Sequence, residues 1–117
     1  DQFWSPLTNT LDEPYGGTLD NRLRFTFDVL RAIRKRVGAE FIVGMRYTAD
    51  EDLVGGLTKQ DGLAISHKLK DSGLVDFLNV IRGHIDTDAG LTDVIPIQGM
   101  RNAPHLDFAG EVPHGAH

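Results

Sequence analysis

Helical and short apolar stretches alternate along this chain, and that alternation constrains the fold more than any other feature. Leu19, Leu23, Phe27, Leu30, Ile33 and Val37 recur every three or four residues, one apolar stripe of a helix over 18–38. Thr18 caps its start, Asp20 places negative charge in the first turn, and Arg34, Lys35 and Arg36 complement the dipole before Gly38 stops it. The run Phe41-Ile42-Val43-Gly44-Met45-Arg46 predicts a strand over 40–46, buried on both faces. A second helix over 58–73 is capped by Thr58, weakened by Gly62 and stopped by Gly73; its stripe of Leu63 and Leu69, with Ile65 nearby, is less regular. A second buried strand is predicted over 75–82.

Helices between buried strands imply parallel pairing with helical crossovers, hence an α/β class. Residues 1–17 read as loop, because Pro6, Asn9, Pro14 and Gly16-Gly17 all break regular structure. A connection over 83–101 follows the second strand, and a last helix is predicted over 102–111, with Asn102 as cap and Pro104 in its first turn. The patch Val94-Ile95-Pro96-Ile97 is demoted as a strand by its proline. Two strands neither close a barrel nor make a stable open sheet, so the expectation is a piece of a larger α/β domain.

Composition narrows the function classes. Twelve Lys and Arg against 17 Asp and Glu leave a net charge of −5, which disfavours a nucleic-acid partner. No apolar run reaches the roughly 18 residues of a membrane span. The start carries no basic, apolar leader, and the first residue is not Met. Cysteine is absent, so these residues hold no disulfide, zinc thiolate or iron–sulfur ligand, in keeping with a cytoplasmic setting.

In α/β barrels the working groups stand at the carboxyl ends of strands. That rule selects Arg46 at the end of the first strand, and Arg82 and His84 at the end of the second, with Asp86 and Asp88 following. A guanidinium there can clamp a phosphate, a carboxylate or a ring carbonyl, or else cap the sheet or pair with a neighbouring carboxylate. A histidine there can exchange a proton near neutral pH. His84, Asp86 and Asp88 are poorly spaced for a metal. His67 reads as a surface residue and His105 has no visible partner. Gly16-Gly17 follows a loop rather than a strand, so it reads as a turn and not a phosphate cradle. The basic run Arg31 to Arg36 reads as a solvated face.

The opening stretch is more specific. Asp1-Gln2-Phe3-Trp4-Ser5-Pro6-Leu7-Thr8-Asn9, followed by Tyr15-Gly16-Gly17-Thr18-Leu19-Asp20-Asn21-Arg22, resembles the old yellow enzyme family of FMN-dependent (β/α)8 barrels. The match is to the segment after the family's fourth strand. Val43-Gly44-Met45-Arg46 is similar to its fifth strand and Asp76 to Gly83 to its sixth, so the resemblance implies a partial TIM barrel from that loop to helix 6. A whole barrel takes ~250 residues, against 117 here. Two family positions, usually Arg and Asp, are Leu11 and Glu13 in this chain.

Residues Leu78 to Asp88 resemble the trimethylamine dehydrogenase branch, and N-methylproline demethylase-like proteins within it. The resemblance implies FMN as cofactor, with Arg46 against the flavin pyrimidine. It further implies an N-methyl amine or N-methyl amino acid as substrate, its carboxylate held by Arg82. His84, where trimethylamine dehydrogenase has an aspartate, becomes the candidate substrate-orienting and catalytic residue. The intact protein is expected to be a homo-oligomer, and an iron–sulfur cluster would lie outside this segment. An NAD(P)H-dependent ene-reductase, or a fragment inactive on its own, are the alternative readings. The family's fourth-strand catalytic groups would precede Asp1, although His114-Gly115-Ala116-His117 spells a sequence many members carry there.

Overall fold

A computed structural model describes residues 2–83 and 106–112. Along the chain these form α1 (Leu19–Val37), β1 (Gly44–Asp50), α2 (Lys59–Ser72), β2 (Phe77–Arg82) and α3 (Leu106–Glu111). The capping chemistry sets the helix limits. Thr18 accepts a hydrogen bond from the Asn21 amide, and Gly38 ends α1 at φ 82°. Thr58 and Asp61 form a reciprocal capping box, and Gly73 closes α2 in the left-handed region.

β1 and β2 pair in parallel, with Arg46 opposite Asn79 and Tyr47 opposite Val80; an irregularity near Ala49 brings Asp50 opposite Arg82. Because side chains alternate across a strand, this register sorts the sheet into two faces. Met45, Tyr47, Leu78 and Val80 point toward the core under the helices, with Leu23, Leu30, Ile65 and Leu69. Arg46, Asn79 and Phe77 lie on the opposite, exposed face.

The expected first strand differs from the observed one. Pairing starts at Gly44 rather than at residue 40, and runs on to Asp50. Phe41 and Ile42 are apolar but 60% and 72% exposed, and they precede Gly44, which stands opposite Phe77 at the start of β2. Arg46 is therefore the third residue of the strand and not its end. The strand is also not buried on both faces, since Gly44 and Arg46 are exposed. Val75, the expected start of the second strand, is a buried residue just before β2. Of the predicted helix over 102–111, residues 102–105 lie outside the described residues.

Gly62 has a positional role that its low helix propensity hides. A Cβ there would overlap the carbonyl of Ala49, so glycine lets α2 sit directly on β1. Tyr47 reaches across the same contact, its hydroxyl donating to the Gly62 carbonyl at 3.4 Å. Burial raises the Tyr47 phenol above its ordinary value of 10.0, while its hydrogen bond with Ser66 works the other way.

Candidate functional site

The opening segment is held against α1 by its own polar side chains. Asn9 donates to the carbonyls of Phe3 at 2.6 Å and Tyr15 at 2.8 Å, and accepts from the Leu11 amide at 3.0 Å. Asn21 donates to Gly16 O, and Arg22 donates to the carbonyls of Trp4 and Gly17. Trp4 Nε1 donates to Thr26 Oγ1 at 2.7 Å, and its ring packs 5.6 Å from that of Tyr47. Gly16 is required because a Cβ would overlap Leu11 O. The residues that make this stretch distinctive are thus those that staple the loop in place. Among the described residues, neither Leu11 nor Glu13 joins an ion pair in it.

Arg46 and Asn79 stand side by side on the helix-free face, both exposed. No described residue gives Arg46 a hydrogen bond or ion pair. This paired guanidinium and carboxamide offer several N–H donors toward one side of the sheet. Asn79 was missed in the sequence because its partnership with Arg46 depends on strand register.

A cavity of about 410 Å³ opens beside Trp4, Thr26 and the three consecutive strand residues Met45, Arg46 and Tyr47. Three successive residues of one strand can share a cavity only along its edge. This one lies along the edge of β1 that β2 leaves unpaired.

Arg82 ends β2 as expected, but it is engaged. Its Nε lies 3.4 Å from Asp50 Oδ2 and its NH2 3.2 Å from Asp52 Oδ1. Arg82 thus meets two neighbouring carboxylates, which hold its guanidinium at the carboxyl end of β2. Asp52 takes up that position at φ 56°, in the left-handed region. His84, Asp86, Asp88, His105 and His114 to His117 lie outside the described residues. Among the described residues no three His, Cys, Asp or Glu side chains gather as a metal site. No described helix is long and apolar enough to cross a membrane.

Glu51 was not singled out by the sequence. It is buried, and its Oε2 accepts from Ser5 Oγ at 2.6 Å and from the Leu57 amide at 2.7 Å. It joins the opening segment to the turn after β1, 46 residues away.

A family model described as the NADH:flavin oxidoreductase / NADH oxidase family matches residues 1–91. The chain belongs to that family. It is 75% identical over 112 residues to the "Probable N-methylproline demethylase" of Rhizobium meliloti, covering 96% of this chain and 16% of that protein. It is 40% identical over 112 residues to the N,N-dimethylglycine/sarcosine dehydrogenase of Chromohalobacter salexigens, with the same coverage. The solved complex of 2-naphthoyl-CoA reductase with 2-naphthoyl-CoA superimposes with a TM-score of 0.63 at 30% identity, over 70% of this chain and 12% of that one. The chain therefore spans about a sixth of the length of these two curated relatives. The β1–α2–β2 unit is consistent with a part of a (β/α)8 barrel.

Proposed function

We propose that these residues form the segment from the loop after strand 4 to helix 6 of an FMN-dependent (β/α)8 barrel that demethylates an N-methyl amine or N-methyl amino acid. The observation that carries this reading is the Arg46–Asn79 pair on the helix-free face. In a closed barrel that face turns inward, where a guanidinium without an acceptor is costly. An electron-rich ring edge with carbonyl acceptors would satisfy it, and the donor set fits the pyrimidine edge of FMN. The cavity along β1 is then the slot for the preceding strand, since parallel strands pair about 4.8 Å apart and, among the described residues, β2 alone stands beside β1.

FMN, when bound, supplies the two-electron acceptor. Arg46 would hold the pyrimidine edge of FMN and supply positive charge there. Arg82 holds the substrate carboxylate, drawing on the side chain that meets Asp50 and Asp52 here. His84, next but one in the chain, orients the amine and takes its proton. The chemistry supplied with FMN as two-electron acceptor would be oxidation of the N-methyl amine to an iminium, which water would hydrolyse to formaldehyde and the demethylated amine. The similarity to the two amine-named relatives favours this chemistry over alkene reduction.

The test uses the full-length protein that carries these residues. Anaerobic addition of N-methylproline should bleach the flavin and release formaldehyde. Reduction by NADPH and reoxidation by an enone, with no response to N-methyl amines, would assign an ene-reductase instead.

A further inference from the structure

Among the described residues, Glu51 is a buried carboxylate that the mechanism above leaves unused. Glu51 sits between Asp50 and Asp52, the two carboxylates that meet Arg82. Its own carboxylate turns away from Arg82 and into the protein, onto Ser5 Oγ and the Leu57 amide. Its backbone amide also donates to the Leu57 carbonyl at 3.0 Å, so residues 51 and 57 close a tight turn on both sides. Gly56 stands within this turn, and a Cβ there would come 2.7 Å from Glu51 Oε2. Ser5 is fully buried and follows Trp4, whose ring lies on Tyr47 beside Arg46. A single carboxylate thus ties together the turn that bears Asp52 and the segment that packs beside Arg46.

A buried carboxylate is expensive unless its hydrogen bonds are made. Two short, charge-assisted bonds meet that cost here, and the one to Ser5 spans 46 residues of sequence. The turn has backbone bonds of its own, from Gly56 N to Leu53 O and from Glu51 N to Leu57 O. What Glu51 adds is position: it fixes where Asp50 and Asp52 end, and so where the Arg82 guanidinium is presented.

We propose that Glu51 is a positioning residue for substrate-carboxylate binding at Arg82, acting through the Ser5–Glu51–Leu57 bonds. This rests on the reading of Arg82 given above. It assigns Glu51 no contact with substrate or flavin.

The test is a titration of the full-length oxidised flavoprotein with L-proline, a carboxylate-bearing amine without an N-methyl group, read by the flavin absorbance. Glu51→Ala should weaken proline binding about tenfold, the loss expected when one Arg82 hydrogen bond to the proline carboxylate is misplaced. Glu51→Gln, which keeps an acceptor oxygen, should recover most of it. Ser5→Ala should weaken binding by a part of that, and should add little in the Glu51→Ala background. Where Glu51→Ala does not fold, the Ser5→Ala titration decides alone. Unchanged proline affinity in Glu51→Ala or Ser5→Ala, even with a lower unfolding midpoint, would make the contact merely structural and overturn the proposal. A wild-type protein that binds FMN but not proline would overturn the reading of Arg82, and this inference with it.

Discussion

Arg34 NH2 lies 2.7 Å from Asp76 Oδ2, and the same oxygen accepts from the Val43 amide at 2.7 Å. Arg34 also donates to the carbonyls of Leu74, Gly38 and Phe41. One ion pair therefore gathers the end of α1 and the approaches to both strands. The Arg34 side chain is 13% exposed and that of Asp76 38%, so salt screens this pair only in part. Asp76→Ala leaves Arg34 NH2 and the Val43 amide short of an acceptor, and should cost about 1–3 kcal/mol. Denaturant unfolding checks it, and 1 M salt should not reproduce the loss.

Gly62→Ala tests the close approach of α2 to β1. On a free helix the change stabilises by ~1 kcal/mol. Here the added methyl meets the Ala49 carbonyl, backbone that cannot swing aside, so a loss of about 1–3 kcal/mol is expected. Thermal unfolding gives the sign directly.

Tyr47 makes stability depend on alkaline pH. Its folded phenol titrates above 10.0, the unfolded value, so the unfolded chain ionises first as pH rises. The Tyr47 contribution is fully present below pH 10 and is lost as pH climbs through the folded value. Unfolding midpoints measured from pH 8 to 11 should fall more steeply in the wild type than in Tyr47→Phe.

Much of the helical framework is legible in the sequence because its causes are local. Thr18, Gly38, Thr58 and Gly73 act within four residues of themselves, and stripes such as Leu23–Leu30 declare their buried face. The strand start is not local. Phe41 and Ile42 have strand-like side chains, but pairing depends on where β2 begins, and β2 begins opposite Gly44. The candidate site divides in the same way. Arg46 and Arg82 stand out as charges at the ends of apolar runs. Asn79 emerges only from register, and Glu51 only from a contact with Ser5. Arg34 reads locally as dipole compensation, yet it works mainly through Asp76, 42 residues away.

Arg82 separates carboxylate recognition from amine oxidation. Arg82→Gln in the full-length protein should raise KM for N-methylproline by about tenfold or more, the scale of a lost charged hydrogen bond. KM for a dimethylamine without a carboxylate should stay within about twofold. Equal changes for both substrates would point to a strand-end role in the Asp50–Asp52 cluster alone. His84→Ala should lower amine turnover with FMN content unchanged, measured by steady-state rate and flavin absorbance.

The most direct measurement concerns Arg46. The full-length Arg46→Ala protein should be purified beside the wild type, and its bound FMN and flavin reduction potential determined. Arg46 facing the pyrimidine edge predicts weaker FMN retention and a lower potential, with Arg46→Lys between the two. Wild-type FMN content and potential in Arg46→Ala would contradict the account, because the guanidinium on the helix-free face would then not meet the flavin.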